Sequence, residues 1–170
     1  PRQSLSSDVF HPGSIVTYED VANLHAHSPY SDGAGTHDAI ALAAIRAGLD
    51  LVAVTDHNVL VQGLDGYRYH NGRRTLLVAA EEIHDQIREP QKNHLLVFEA
   101  HQELAPLAPS PVRLLEAVQR AGGIAFIAHP VDPPSAAFHQ PDLSWVDWDV
   151  EGYAGIEIWN FGSEFKSHLR

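Results

Sequence analysis

Short apolar runs of strand length recur along the chain and alternate with amphipathic segments. Turn-forming residues separate the runs, as expected of buried strands, and the runs occupy 20–27, 49–58, 75–82, 94–100, 123–130 and 155–160. The polar, glycine-punctuated stretch 61–74 is predicted to hold a short helix. This alternation predicts an α/β fold with a mostly parallel sheet, either open or closed into a barrel.

Two segments have the capping residues and apolar spacing of helices. Segment 36–48 has Thr36 in position to cap its first turn and Gly48 suited to end it. In segment 111–123, Ser110 and Pro111 are the residue types preferred at the cap and the first helical position. These two segments are therefore predicted to be helices that connect strands of the sheet.

Histidines and carboxylates occur where the predicted strands end. They are His25 and His27, Asp56 and His57, Glu81 and Glu82, and His129. Each pair taken alone has an ordinary explanation, such as a chance His-x-His, a turn or a solvated loop pair. The carboxyl ends of parallel strands, however, meet at one edge of a sheet, where such folds place their active sites. Repetition at four strand ends therefore favours one shared site, with residues 25 and 27 aimed to the same face.

Composition limits the chemistry of such a site. The chain has 170 residues, 44% of them hydrophobic, which is consistent with a single domain over residues 1–170. It has no cysteine but twelve histidines, so a metal ion would need histidine and carboxylate ligands. The formal net charge of −11 argues against binding of long nucleic acid, although bound cations could reverse the field for a small anion.

The apolar runs also bear on the compartment. All of them are too short to span a bilayer, so no membrane association is predicted. A soluble protein, cytoplasmic by default, is expected. The chain begins with proline, and export with later removal of a signal peptide is the alternative.

Five segments in this order resemble the PHP family, the polymerase and histidinol phosphatase domain. They are "HAHSPYSDG", "VAVTDHN", "EEI", "HLLVF" and "IAHP", and the resemblance extends over residues 23–160. It implies a distorted (β/α)7 TIM-like barrel with two or three divalent ions at its carboxyl-terminal edge, and phosphoester hydrolysis. Within the family, "TDHN" and "GIEIWN" are most similar to the carbaryl-hydrolase-like metallohydrolases, the CehA/McbA-like subgroup.

The resemblance also implies roles for individual residues. The implied metal ligands are His25, His27, Asp32, His57, Glu82, His94 and His129. Asp56 is implied to assist catalysis by orienting His57, and His129 or His94, if free of metal, to protonate the leaving oxygen. Glu157 and Asn160 resemble residues that lie at the edge of the site or support its ligands, rather than ligands themselves. The family pattern ends in an Asp-x-His motif that this sequence lacks, so either the chain is a fragment or the barrel is shortened at its C-terminus.

The ligand types suit zinc, manganese or iron without choosing among them. Two such ions can share a bridging hydroxide, which is the predicted nucleophile for a small phosphorylated substrate such as a nucleotide or sugar phosphate. Arg68, Arg73 and Arg74 are candidate phosphate-binding residues, although a solvated loop is the simpler interpretation. The alternatives are an ester, amide or carbamate metallohydrolase and a non-catalytic metal-binding accessory domain.

Overall fold

The structure, a computed structural model, describes residues 17–168. Its elements in chain order are β1 (Ala22–Asn23), α1 (His37–Ala47), β2 (Leu51–His57), β3 (Gly66–His70), β4 (Arg73–Ile83), β5 (Leu95–Phe98), α2 (Pro111–Arg120), β6 (Ile124–Ile127), β7 (Gly155–Ile156) and α3 (Phe161–Ser167), with a 3₁₀ turn at Ala105–Leu107 before α2. Each predicted strand segment contains a strand, so the alternating apolar pattern located these elements correctly.

The two predicted helices form and have the expected caps. The side chain of Thr36 accepts a hydrogen bond from the backbone of Ala39, and Gly48 ends α1 in the left-handed conformation with φ of 82°. The side chain of Ser110 caps α2 in the same way, and Pro111 is its first residue. Among residues 17–168, no helix has the length and apolar character needed to cross a bilayer.

The sheet is mixed, so the prediction of a mostly parallel sheet was wrong. Strand pairs β1–β2, β2–β4 and β6–β7 are parallel, whereas β3–β4, β4–β5 and β5–β6 are antiparallel. The predicted helix in 61–74 was also wrong, because β3 and β4 form a hairpin there. Its turn residues Asn71 and Gly72 both have positive φ, of 48° and 74°, as a type I′ turn requires.

The strands form an open sheet in the order β1-β2-β4-β5-β6-β7, with β3 paired to β4. Residues 17–168 contain three α-helices and form no closed (β/α)7 barrel. The outer strands β1 and β7 do not pair with each other, yet His25 and Glu157, which follow them, approach to 3.0 Å. The sheet therefore curls so that its two outer strands approach each other where His25 and Glu157 lie.

The two faces of the sheet differ in what covers them. On one face, α1 packs against Val52, Val54 and Leu77, and a larger cluster including Leu115 lies between α2 and the strands β5 and β6. The other, inner face is lined by a separate cluster that includes Ala53, Ala80 and Phe98. Since side chains alternate along a strand, His57 and Glu82 project from this inner face. The fold thus positions them on the concave side of the curled sheet.

Candidate metal centre

Strand direction brings the predicted ligands to one edge of the sheet. β2 and β4 run parallel with His57 opposite Glu82, so both lie where these strands end. β5 runs antiparallel to β4, and so His94 reaches the same edge by preceding its strand. β6 reverses again and places His129 just beyond its carboxyl end, while His25 and His27 follow β1. Seven residues from five strands thus contribute to a single cluster once Asp32 is included.

Glu82 lies at the centre of this cluster and is buried. Its Oε2 is 2.9 Å from His25 Nε2, 3.1 Å from His27 Nε2 and 3.3 Å from His57 Nδ1. Its Oε1 is 2.8 Å from His94 Nδ1 and 2.9 Å from His129 Nε2. One carboxylate therefore has five imidazoles within 3.3 Å, all of them from histidines that the resemblance implies as metal ligands.

The electrostatics follow from this crowding. Burial by itself would raise the pKa of Glu82, but hydrogen bonds from His129, His25, His27 and His94 hold that pKa well below its usual value. Burial opposes the charged form of His25, yet its hydrogen bonds to Glu157 and Glu82 raise its pKa to about 10. Burial lowers the pKa of His57. Glu82 is therefore a buried anion, and positive charge close to it would stabilise it.

The donor set fits divalent ions. Three groups place one ligand atom from each member within 4.8 Å of the others: His25–Glu82–His129, His27–Asp32–His57 and His57–Glu82–His94. The Nε2 atoms of His25 and His27 face each other at 3.1 Å, where one proton at most can lie between them. Buried ring nitrogens of His57 and His94 have no hydrogen-bond partner among residues 17–168. Nitrogen and carboxylate donors without sulfur suit zinc, manganese or iron.

Asp56 does not contact the His57 ring, contrary to the prediction that it orients this residue. Neighbouring residues of a strand point to opposite faces, so Asp56 turns away from the cluster. Its buried carboxylate instead accepts hydrogen bonds from Ser28 N at 2.7 Å, Ser28 Oγ at 2.6 Å and Ser31 Oγ at 2.9 Å. Asp56 therefore fixes the loop that follows β1 and supports His27 through Ser31, whose Oγ is 3.3 Å from His27 Nδ1.

The same loop needs a glycine to present Asp32. A Cβ on Gly33 would lie 2.0 Å from the carbonyl oxygen of His27. Because the chain packs on itself so closely, Asp32 can turn back toward the histidines, with Oδ1 3.3 Å from His27 Nδ1 and Oδ2 3.8 Å from His57 Nε2. Asp32 is 70% exposed, which makes this the open side of the cluster.

Glu157 contacts one of the clustered histidines from behind, which is one of the two positions predicted for it. Its Oε1 is 3.0 Å from His25 Nδ1, and its Oε2 accepts a hydrogen bond from the backbone of His129 at 2.8 Å. Asn160 donates to the same Oε1 at 3.1 Å. Such an outer carboxylate fixes which ring nitrogen of a histidine faces the ion. The motif "GIEIWN" carried this signal in the sequence.

His94 and His129 were also predicted as proton donors. Both are buried, and each directs one ring nitrogen at Glu82. This geometry favours a ligand role for both. His84, which was not predicted, stacks on His94 with ring centroids 4.4 Å apart, and burial lowers its pKa to about 4. No pattern in the sequence distinguished His84 from other histidines.

The three predicted phosphate-binding arginines lie away from the cluster. Arg73 and Arg74 begin β4, whereas Glu82 lies near its other end, nine residues later and about 30 Å along the strand. Arg68 lies in β3, paired with that same early part of β4, and binds Asp38 at 3.1 Å. The prediction assumed a loop at the active edge, but the β3–β4 hairpin extends from the opposite end of the sheet.

The structure is thus that of an α/β protein with a curled sheet and three groups of histidines and carboxylates that could each hold a metal ion. The sequence profile of the PHP domain matches residues 23–124, more than half of the chain. The chain therefore belongs to the PHP domain family, and membership implies a metal-dependent hydrolase of the phosphoesterase type. The chain is also similar to the uncharacterized protein MJ1587 of Methanocaldococcus jannaschii, with 24% identity over 150 residues that cover 82% of this chain and 81% of the relative.

Proposed function

We propose that the protein is a phosphoesterase that uses two or three divalent ions to hydrolyse a small phosphorylated molecule, such as a nucleotide or sugar phosphate. The observation that carries this proposal is the buried Glu82 carboxylate with five histidines around it. A protein that only had to fold would gain nothing by burying this carboxylate among imidazoles, because buried charge is costly without a compensating partner. Membership in the PHP domain family supports the same reaction class.

The bound ions, the buried glutamate and the exposed ligands would have different roles in this reaction. Ions of zinc, manganese or iron held here would polarise a phosphoryl oxygen and lower the pKa of water toward neutrality. Glu82 would be a ligand on the buried side of the site, because it is buried and directs both oxygens to histidines. His27, Asp32 and His57 are more exposed than the other predicted ligands, so a substrate would approach on their side.

The charge of the site makes the proposed reaction depend on metal. Glu82 and Asp32 are carboxylates, and Glu157 adds a third with its pKa held down, against the effect of burial, by His25. The chain as a whole has a formal charge of −11. A phosphoryl group would be repelled by this field unless cations are in place. Loss of metal should therefore abolish substrate binding as well as turnover.

A second reaction is favoured by one observation. Glu157 and Asn160 of "GIEIWN", a segment similar to the carbaryl-hydrolase-like metallohydrolases, both contact His25 of the cluster. The same ions would activate water for attack on a carbonyl carbon. Hydrolysis of an ester, amide or carbamate is therefore the alternative to phosphoester hydrolysis.

Elemental analysis of protein purified without chelator, followed by a substrate panel, tests the proposal. Two or more equivalents of transition metal and hydrolysis of phosphomonoesters or phosphodiesters are expected. Activity confined to aryl esters and carbamates would overturn the phosphoesterase proposal in favour of the alternative. Full metal content with no turnover of either group would instead support a metal-binding accessory domain.

Two histidine variants provide the matched control. His27→Ala removes a side chain within 3.1 Å of Glu82 and should lower both metal content and activity. His70→Ala makes the same change at the end of β3, opposite Arg73, and should alter neither. Equal metal content in the two variants would contradict the location of the site.

A further inference from the structure

The short helix α3 approaches the cluster at both of its ends. Asn160 caps the helix by accepting from the backbone of Ser163, and its amide also reaches Glu157 at 3.1 Å. Near the other end, the Lys166 ammonium lies 2.8 Å and 2.9 Å from the two carboxylate oxygens of Asp132. Asp132 follows His129 by three residues. The helix therefore reaches the surroundings of His25 from one end and those of His129 from the other.

The pair formed by Asp132 and Lys166 is buried. Asp132 is 2% exposed, and the Lys166 side chain is 14% exposed. Lys166 also donates to Gln140 Oε1 at 2.8 Å, and Gln140 Nε2 lies 3.5 Å from Asp132 Oδ2. Burial of an ion pair costs desolvation energy that its Coulomb attraction often fails to offset, so such a pair is poorly explained by stability alone.

Within the described part of the chain, His129 has a ring nitrogen without a hydrogen-bond partner on the side that faces this ion pair. Its Nε2 faces Glu82, and its buried Nδ1 has no hydrogen-bond partner among residues 17–168. The nearest carboxylate oxygen recorded for that nitrogen is Asp132 Oδ2, at 3.9 Å, somewhat beyond hydrogen-bond length. His129 also has φ of 25°, a backbone conformation that only firm surroundings hold. Asp132 Oδ2 is therefore the carboxylate oxygen best placed to accept a hydrogen bond from His129 Nδ1–H.

We propose that Asp132, paired with Lys166, is a positioning residue for His129. By attracting Nδ1–H it keeps the Nε2 lone pair directed at the ion that His25, Glu82 and His129 would share. Glu157 serves His25 of the same group in the same way. The inference rests on the metal centre of the proposed function, but not on the identity of the substrate. The contacts made by Asn160 and Lys166 do not reach His27, Asp32 or His57. The helix α3 would therefore support only the ion held by His25, Glu82 and His129.

Zinc retention by the full chain tests this inference. Wild-type protein and variants are loaded with zinc, and the equivalents retained are measured over a series of chelator concentrations. Asp132→Leu combined with Lys166→Met removes both charges and leaves neither unpaired, so the fold should persist. One zinc equivalent should leave at about 10–100-fold lower chelator concentration than in wild type. The remaining zinc should be retained as before.

A control uses an ion pair that lies far from Asp132 and from the cluster. Arg68 Nε lies 3.1 Å from Asp38 Oδ1, between β3 and α1, so Asp38→Leu with Arg68→Met should retain zinc like wild type. Asp132→Asn with Lys166→Met keeps an oxygen acceptor and should recover part of the lost affinity. This variant also carries the test if circular dichroism shows that the leucine variant does not fold.

Nitrogen NMR of the zinc-loaded protein gives a readout that a merely structural role would not move. The His129 Nδ1–H resonance should be present in wild type and should be lost or exchange faster in the Asp132→Leu/Lys166→Met variant. Zinc retention in both Asp132 variants equal to that of the control would overturn the inference alone. A wild-type chain that retains no zinc would overturn the metal centre and this inference together.

Discussion

The two faces of β4 carry adjacent glutamates in opposite states. Glu82 and Glu81 are both about 1% exposed, so burial penalises their charged forms alike. On the inner face, hydrogen bonds from histidines such as His129 overcome burial and hold the pKa of Glu82 well below its usual value. On the outer face, burial and then the hydrogen bond to the Glu103 carboxylate raise the pKa of Glu81 to about 9.

The comparison teaches that the partners, rather than the burial, decide whether a carboxyl group inside this protein is charged. At neutral pH Glu82 is an anion among potential metal ligands, whereas Glu81 is a neutral acid that keeps its proton and donates a hydrogen bond to the Glu103 carboxylate. Glu81 and Glu82 are adjacent in sequence but differ in charge, because neighbouring residues of a strand face different surroundings. Only one of the two glutamates belongs to the metal centre.

Replacing Glu82 should have the largest effect. Glu82→Gln keeps the size of the side chain but removes the charge shared by five histidines. Bound metal should fall, and activity should fall by more than the roughly 100-fold that loss of an outer carboxylate can cost. Elemental analysis and steady-state rates measure both effects. The neighbouring Glu81→Gln is the control. Equal loss of metal in the two variants would contradict the conclusion that only Glu82 belongs to the metal centre.

Replacing Glu157 should have a smaller effect on the same face. Glu157→Gln removes the charge 3.0 Å from His25 Nδ1 and should weaken metal binding by about 10–100-fold. In metal-free protein the pKa of His25 should fall from about 10, because one of its two hydrogen-bonded carboxylates is lost while burial still opposes the charge. NMR titration of the His25 ring checks the direction. Glu164→Gln, a change at an exposed glutamate of α3, should leave that pKa unchanged.

Replacing Glu81 should change how stability depends on pH. Its pKa is raised in the folded state, so folding retains a proton that the unfolded chain releases above about pH 4.3. Wild-type stability should therefore decline relative to Glu81→Gln as pH rises from 5 to 8, by no more than about 1.4 kcal/mol per pH unit for one proton. Denaturant unfolding at several pH values measures this. Parallel stability curves for the two proteins would show that Glu81 is not a retained acid.

The smallest effect is expected at the far end of β4. Arg74 stacks over the Tyr67 ring at 4.3 Å, on the hairpin that points away from the cluster. Arg74→Ala should leave kcat/KM within about twofold of wild type, because it would remove no contact with substrate. A loss of more than tenfold, without loss of folded protein, would mean that substrate extends to this end of the sheet.

Much of the fold could be predicted because its signals are local. The caps Thr36 and Ser110 and the apolar runs depend on neighbours within a few residues, and the structure confirms these elements. Strand direction could not be read the same way, because it depends on pairing between distant segments. One local signal was missed: Asn71–Gly72 is a strong hairpin pair, and it would have predicted β3 in place of a helix.

The candidate site shows the same division. Residues that end strands, such as His57 and Glu82, could be grouped from the sequence because strand ends share an edge. His94 came only from the resemblance to the PHP family, since it precedes an antiparallel strand. Asp132 and Lys166 could not be predicted, because their contact depends on where α3 packs. Asp56 was assigned to His57 from adjacency, although adjacency in a strand separates side chains.

The close approach of the two outer strands, β1 and β7, has a thermodynamic consequence. No backbone hydrogen bonds join β1 to β7 in residues 17–168, and the contact between them is made by His25 and Glu157. An ion bound to His25 and to residues of β4 and β6 would therefore cross-link strands that the sheet leaves apart. Saturation at 100 times the dissociation constant would add about 2.7 kcal/mol to the free energy of unfolding. Metal supply and the resistance of this protein to unfolding would then vary together.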